Sequence, residues 1–247
     1  MGEPRGCYAE ALGNCEGPLT HEHHLSRSVL EIFGQFGVSG TSWIPDGEVK
    51  RLSINAAAAK TLCEKHNSSL SDLDAAIAPL FRRIAELIDA PTLEVFSSIS
   101  NMAYPAAILQ RWLLKAFCGD LASGWIQDGD RILQAPDILL EWLEIEFAHR
   151  QWPMGTGLFS EYRTLEFDQG HFFKSQVPIG EGDAVYCYRV WIFGIPFFLS
   201  LVPINDVGGD LARPSGVRII RWGVVKEISF EWQLVDDSFK WLGIIVP

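Results

Sequence analysis

Positive charge is what this sequence has least of. Its 20 lysines and arginines face 31 aspartates and glutamates, for a formal net charge of −11. A chain with that balance should be soluble and repelled by nucleic acid at long range, which counts against a protein that coats DNA nonspecifically but does not exclude an enzyme with a local cationic or metal-bearing site. Cysteine is sparse too: five residues, unevenly spread, are too few for a disulfide scaffold. Long apolar runs are missing. The most apolar stretch, Val190 to Ile204, is interrupted by Gly194, Pro196 and Pro203 and falls short of the roughly 18 residues that a spanning helix needs. The opening residues, Met1-Gly2-Glu3-Pro4-Arg5, carry no apolar segment of a secretory signal. Together these absences predict a cytoplasmic protein with no membrane partner. In that compartment clustered cysteine and histidine mean metal more often than disulfide.

What is present is core-forming material. Of 247 residues 48% are hydrophobic, with nine tryptophans and fifteen phenylalanines, enough for one large domain or two ordinary ones. Composition divides the chain into three regions and predicts an α+β fold. Residues 1–75 hold three of the five cysteines and four of the six histidines, with a Gly- and Ser-bearing loop, Gly34 to Gly47, expected to connect two metal-binding halves. Residues 76–150 read as helical. Leu70, Leu73, Ile77, Leu80, Phe81, Ile84, Leu87 and Ile88 recur at helical steps, Pro79 predicts a kink or break, and Pro91 ends the run. Ile108 to Phe117 reads as an amphipathic helix with Arg111 and Lys115 as its surface charges beside a buried Trp112. Asp137 to Phe147 gives a third helix, capped near Asp137. Residues 151–247 are rich in β-branched and aromatic residues, and Val185–Phe193, Phe197–Val202, Val217–Trp222, Ile228–Trp232 and Trp241–Val246 predict an antiparallel β-sheet. Cys118 and Cys187 sit in apolar contexts and read as core residues.

Four residues of the first region have the chemistry of a structural zinc site: Cys7, Cys15, Cys63 and His66. Zinc takes four soft or borderline ligands in a tetrahedron, and thiolate plus imidazole satisfy it. The Cys-x2-His pair at 63 and 66 has the bite to share one ion where a turn enters a helix. Cys7 and Cys15 are separated by seven residues, wider than the usual spacing, so Tyr8 to Asn14 must loop out, which Gly13-Asn14 permits. The competing reading is buried, inert cysteines.

A second cluster is Thr20-His21-Glu22-His23-His24-Leu25-Ser26. On a strand, His21 and His23 would share one face and Glu22 and His24 the other, so one face can meet a metal or a phosphate while the other packs. A solvated polar turn is the bland alternative.

Taken in order, Cys7 and Cys15, then Glu22-His23-His24-Leu25-Ser26-Arg27-Ser28-Val29-Leu30, then Leu62-Cys63-x-x-His66-Asn67 resemble the HNH endonucleases, in particular those whose finger closes with Cys-x2-His followed by Asn. The resemblance covers about the first 75 residues. It implies a ββα-metal module that hydrolyses phosphodiester bonds of DNA or RNA. It also implies a histidine on the first strand as general base. Matched to a Glu-His-Val-Ile-Ser pattern, that base is His23; matched to a His-His-Ile pattern, it is His24, with His23 a metal ligand. The first match is preferred. Glu22 and Asn67 then become ligands of a catalytic divalent ion, Mg2+ or Mn2+, separate from the structural Zn2+. The pattern's middle asparagine, which orients the base, has no direct counterpart. Asn55 is the nearest candidate and Lys60 another polar residue nearby. That departure, with the acidic balance, motivates an alternative: a catalytically inactive, zinc-held scaffold that binds a protein partner through the helical or β region.

Overall fold

The computed structural model describes residues 6–33, 35–39, 41, 43–45, 47–128, 131–132, 138–148, 150–161, 164–166, 173–177, 187–203, 211–232 and 240–246. Among them the chain is a mixed α+β fold with six α-helices and several sheets. The first region contributes β1 (Leu19–His23), α1 (Arg27–Phe33), β2 (Gln35–Val38), β3 (Lys50–Ser53), β4 (Ala58–Cys63) and α2 (Glu64–Ser69), followed by α3 (Ser71–Ile88). The middle holds α4 (Leu93–Ser98), β5 (Met102–Pro105), α5 (Ala106–Ala122), the short strands β6 (Gln127–Asp128) and β7 (Arg131–Ile132), and α6 (Leu140–Ala148). The remainder is β8 (Gly157–Glu161), β9 (Thr164–Glu166), β10 (Phe173–Val177), β11 (Cys187–Ile192), β12 (Ile195–Ser200), β13 (Leu211–Ala212), β14 (Pro214–Arg221), β15 (Val224–Glu231) and β16 (Lys240–Ile245).

β1 and β4 form an antiparallel pair of their own, and α2 starts as β4 ends. The other strands build a seven-stranded sheet, β13-β8-β12-β11-β10-β2-β3, and a five-stranded sheet, β5-β15-β14-β16-β9. The expected antiparallel sheet is only part of this. β8, β12, β11 and β10 pair antiparallel, and so do β14 and β15. β16 lies parallel to β14 and β5 parallel to β15. Topology gives the reason. With β5 on one edge of β15 and β14 on the other, β16 cannot close a hairpin beside β15 and takes the far edge of β14. The segment expected as a loop, Gly34 to Gly47, contains β2, which pairs with β3 and, in parallel, with β10.

α3 keeps its predicted stripe: Leu73, Ile77, Leu80, Phe81, Ile84, Leu87 and Ile88 are all buried. The helix is continuous through Pro79. Proline costs it one backbone hydrogen bond, and the apolar residues on either side, packed toward α1 and α5, hold it together. Helix α5 departs most from expectation. From Trp112 to Leu121 every residue is buried, Lys115 included, because α3, α6, β4, β8 and β12 surround it. It is a central helix with no solvent face over that stretch, not an amphipathic one. One hydrophobic cluster runs from Tyr8 and Leu25 through α3 and α5 to Val217 and Leu242, so all three compositional regions contribute to it. The proposed cap Asp137 and the histidines at 149 and 171 lie outside the described residues.

Near the N-terminal segment, α6 buries Glu146, whose Oε1 accepts from the Tyr8 hydroxyl at 2.7 Å. Burial raises this carboxyl from the ordinary range to about 7, against the opposing pull of the Tyr8 and Cys118 donors. Because the folded value lies above the unfolded one, the native state holds the proton between about 4.5 and 7. Stability is therefore full below that window and falls as pH rises through it, by roughly 3 kcal/mol. A Glu146→Gln variant, which still accepts from Tyr8, should lose that slope and gain stability at pH 8. Urea unfolding from pH 4.5 to 8 measures both, and an unchanged slope would contradict the assignment.

Candidate metal centre

Cys63 closes β4 and His66 lies in the first turn of α2, so the strand-to-helix junction presents both to one point. The remaining ligands arrive on the preceding loop, which the backbone sews onto the same junction. Tyr8 N donates to Thr61 O at 2.9 Å, Glu64 N to Pro18 O at 3.0 Å, and Lys65 N to Glu16 O at 3.2 Å. Gly17 makes the last crossing possible. It sits at φ +78°, and a Cβ there would lie 2.7 Å from Glu64 Cβ.

The result brings together the four residues named from sequence. One ligand atom each from Cys7, Cys15, Cys63 and His66 all lie within 4.8 Å of one another. His66 Nδ1 is 3.3 Å from Cys7 Sγ, 3.3 Å from Cys63 Sγ and 3.7 Å from Cys15 Sγ. Tetrahedral zinc with bonds of about 2.3 Å to sulfur and 2.0–2.1 Å to nitrogen requires sulfur–nitrogen separations of roughly 3.6 Å. The donor set and its spacing fit, and the cluster could bind a metal such as zinc. None of the three cysteines is in a disulfide.

The electrostatics fit the same occupant. Burial pushes the Cys7 thiol up to about 12, a cost that a bound cation reverses by holding the thiolate. Burial acts to raise Cys63 as well, but the backbone N–H groups of His66 and Glu16 and the thiols of Cys7 and Cys15 take it below the ordinary value. Burial, then Lys65, keeps His66 below the usual imidazole value, which favours the neutral, metal-binding form.

Strand β1 carries the second cluster, and the predicted alternation holds. His21 is exposed, Glu22 buried, His23 half-buried and His24 buried. Glu22 does not face an open ion site. Its Oε1 lies 2.5 Å from Lys115 Nζ, and its side chain is 5% exposed. Burial raises its carboxyl pKa despite that partner. His24 Nδ1 is 2.9 Å from Asp120 Oδ1, and its ring meets Trp125 edge-on. Asn67, on α2, donates to Thr20 Oγ1 at 2.8 Å and toward His21 O at 3.4 Å, tying helix to strand. Neither Glu22 nor Asn67, so engaged, fits a ready-made divalent site, and the Cys7–Cys15–Cys63–His66 group is the one metal-ligand cluster of His, Cys, Asp and Glu among the described residues. His23 is less buried than Glu22 and His24 on either side of it. Its Nε2 is shielded from solvent and finds no partner among the described residues. Burial, then the positive charges of Arg27 and Lys115, lower its pKa. Asn55 and Lys60 are both exposed.

Sequence reasoning missed Lys115, Asp74 and Asp120 as partners of this strand. One signal was readable: a single lysine inside the apolar run Trp112-Leu113-Leu114-Lys115-Ala116-Phe117 must find carboxylates if that run is buried. Its partners' identities were not readable.

Purified chain should hold one zinc per molecule by elemental analysis. Cys63→Ser should leave well under one and lower the melting temperature. Gly17→Ala should keep the ligands but destabilise the zinc-loaded chain by about 1 kcal/mol or more. Equal zinc content in wild type and Cys63→Ser would remove the centre.

No family model matches the chain, and neither the curated proteins nor the solved structures compared with it gave a match.

Proposed function

We propose that the β1–β4–α2 module hydrolyses phosphodiester bonds of DNA or RNA, with His23 as general base. The observation that carries this reading is His23 itself: an imidazole on the outward face of β1, with an Nε2 that no described residue satisfies, beside a strand–strand–helix frame closed by a Cys3His cluster. An orphaned buried nitrogen costs about 1–3 kcal/mol, a cost that makes sense where a substrate or water is to be met. The lowered pKa keeps the ring neutral at pH 7, the form that takes a proton from water. Arg27, exposed at the start of α1 and close enough to depress His23, would have to turn from its surface pair with Glu31 at 2.9 Å to meet a phosphate. Zinc in the Cys3His cluster would hold the loop and α2 in place without touching substrate. No step is routed through a second metal, because the residues matched to it are engaged otherwise.

A second reading has its own support. The Glu22–Lys115 pair and the Asn67–Thr20 bond consume two of the motif's polar groups, as expected of a zinc-held scaffold that binds a protein partner. Stoichiometric capture of one protein, with no nucleic-acid binding at low salt, would favour it.

The assay is cleavage of plasmid, single-stranded DNA and RNA by zinc-loaded protein, with and without added Mg2+. His23→Ala should retain the fold and lose about 100-fold or more of the activity. His24→Ala should instead lower the melting temperature, since it strips Asp120 of a buried partner. No cleavage by wild type, or equal cleavage by His23→Ala, would end the nuclease reading.

A further inference from the structure

Two carboxylates converging from different elements ordinarily make a cation site. Glu22 on β1 and Asp74 on α3 converge in this way, and what lies between them is the end of a side chain. Lys115 Nζ is 2.5 Å from Glu22 Oε1, 2.6 Å from Asp74 Oδ1 and 2.7 Å from Asp74 Oδ2. Both Asp74 oxygens accept hydrogen bonds from the ammonium, and Glu22 Oε1 lies against it as an ion pair. The lysine side chain is 0% exposed, while that of Asp74 is 29% exposed and forms the open side of the pair. Asp74 also accepts from the Ser26 hydroxyl, which in turn accepts from Trp112 Nε1 at 2.7 Å.

Mg2+ and Mn2+ would need to replace this arrangement with a shell of about six oxygens near 2.0–2.2 Å. The room for such an ion is filled by Nζ, and the charge that would draw it in is already half neutralised. We propose that Lys115 is a built-in cation, occupying the Glu22–Asp74 pair in place of a divalent ion, so that the wild-type chain takes no Mg2+ or Mn2+ there. The carboxylate pair is a latent divalent site that the lysine closes. This goes beyond the nuclease reading: it makes any chemistry at His23 independent of a divalent ion held by Glu22.

Titration of Mn2+ into zinc-loaded, full-length protein, followed by the loss of the free-ion electron paramagnetic resonance signal, reads the pair directly and makes no reference to cleavage. Wild type should leave the Mn2+ signal undiminished. Lys115→Gln, which removes the charge but keeps amide donors for the carboxylates, should gain one bound Mn2+ per chain and a rise in melting temperature on Mn2+ addition. Adding Glu22→Gln to that variant should abolish both gains. One Mn2+ bound by wild type and lost with Glu22→Gln alone overturns the proposal, as does a folded Lys115→Gln chain that gains no site. Should Lys115→Gln fail to fold, wild type decides: an undiminished signal upholds the proposal, and a bound ion that depends on Glu22 defeats it.

Discussion

An ammonium cut off from water must have carboxylates brought to it, and that requirement joins β1, α3 and α5 at one point. Lys115 is wholly buried and receives Glu22 from the strand and Asp74 from the neighbouring helix. Removing one member of such a group leaves a buried charge unmatched, at a cost of about 3–5 kcal/mol. The contact is one of a series. Glu22, His24 and Ser26, alternate residues at the end of β1 and just beyond it, meet Lys115, Asp120 and Trp112 of α5. Tyr188 of β11 adds a hydroxyl to Asp120 at 2.8 Å. The period-two face of a strand is thereby matched, residue for residue, to one helix. The outward residues, His21 and His23, are held from behind.

The Cys3His cluster does the corresponding work at the other end of the module. A segment of about 60 residues with a loop between its halves has little core of its own, and a metal shared by Cys7, Cys15, Cys63 and His66 would add to the backbone bonds and the buried Tyr8 and Ala9 that already hold this loop. The backbone bonds from residues 8, 64 and 65 set the path. The four ligands give that path its purpose. One anchor is ionic and buried in the main core; the other suits a metal near the surface, with Cys15 exposed. β1 and β4 lie between them.

The metal cluster was legible in the sequence because its information is local in kind: cysteine and histidine have few other uses at such spacing. The strand alternation at 21 to 24 was legible for the same reason, since period two is a property of the backbone. The α5 network was not legible. Lys115 looks like an ordinary surface charge of an amphipathic helix until the helix is known to be enclosed on every side, and that is a fact about β8, β12 and α6. The parallel placement of β16 and β5 was hidden in the same way, because the choice between hairpin and crossover depended on which edge of β15 was already taken. Pro79 misled for a simpler reason. One missing hydrogen bond is a small term beside the burial of Ile77, Leu80 and Phe81.

Satisfaction of hydrogen-bonding groups separates what holds the module from what it can act with. Glu22 is matched by Lys115, His24 by Asp120, and Asn67 donates to Thr20. Each of these side chains is spent on structure, whatever its type suggests. His23 keeps a buried Nε2 without a partner among the described residues, while Glu22 in the strand and His24 and Ser26 just beyond it are held from the other side by α5. A base must be both free at one atom and immobile at the rest. The packing that pairs Glu22 with Lys115 also backs the strand that carries His23. On the proposed reading, a closed Glu22–Asp74 pair and a firmly seated His23 both follow from one buried lysine.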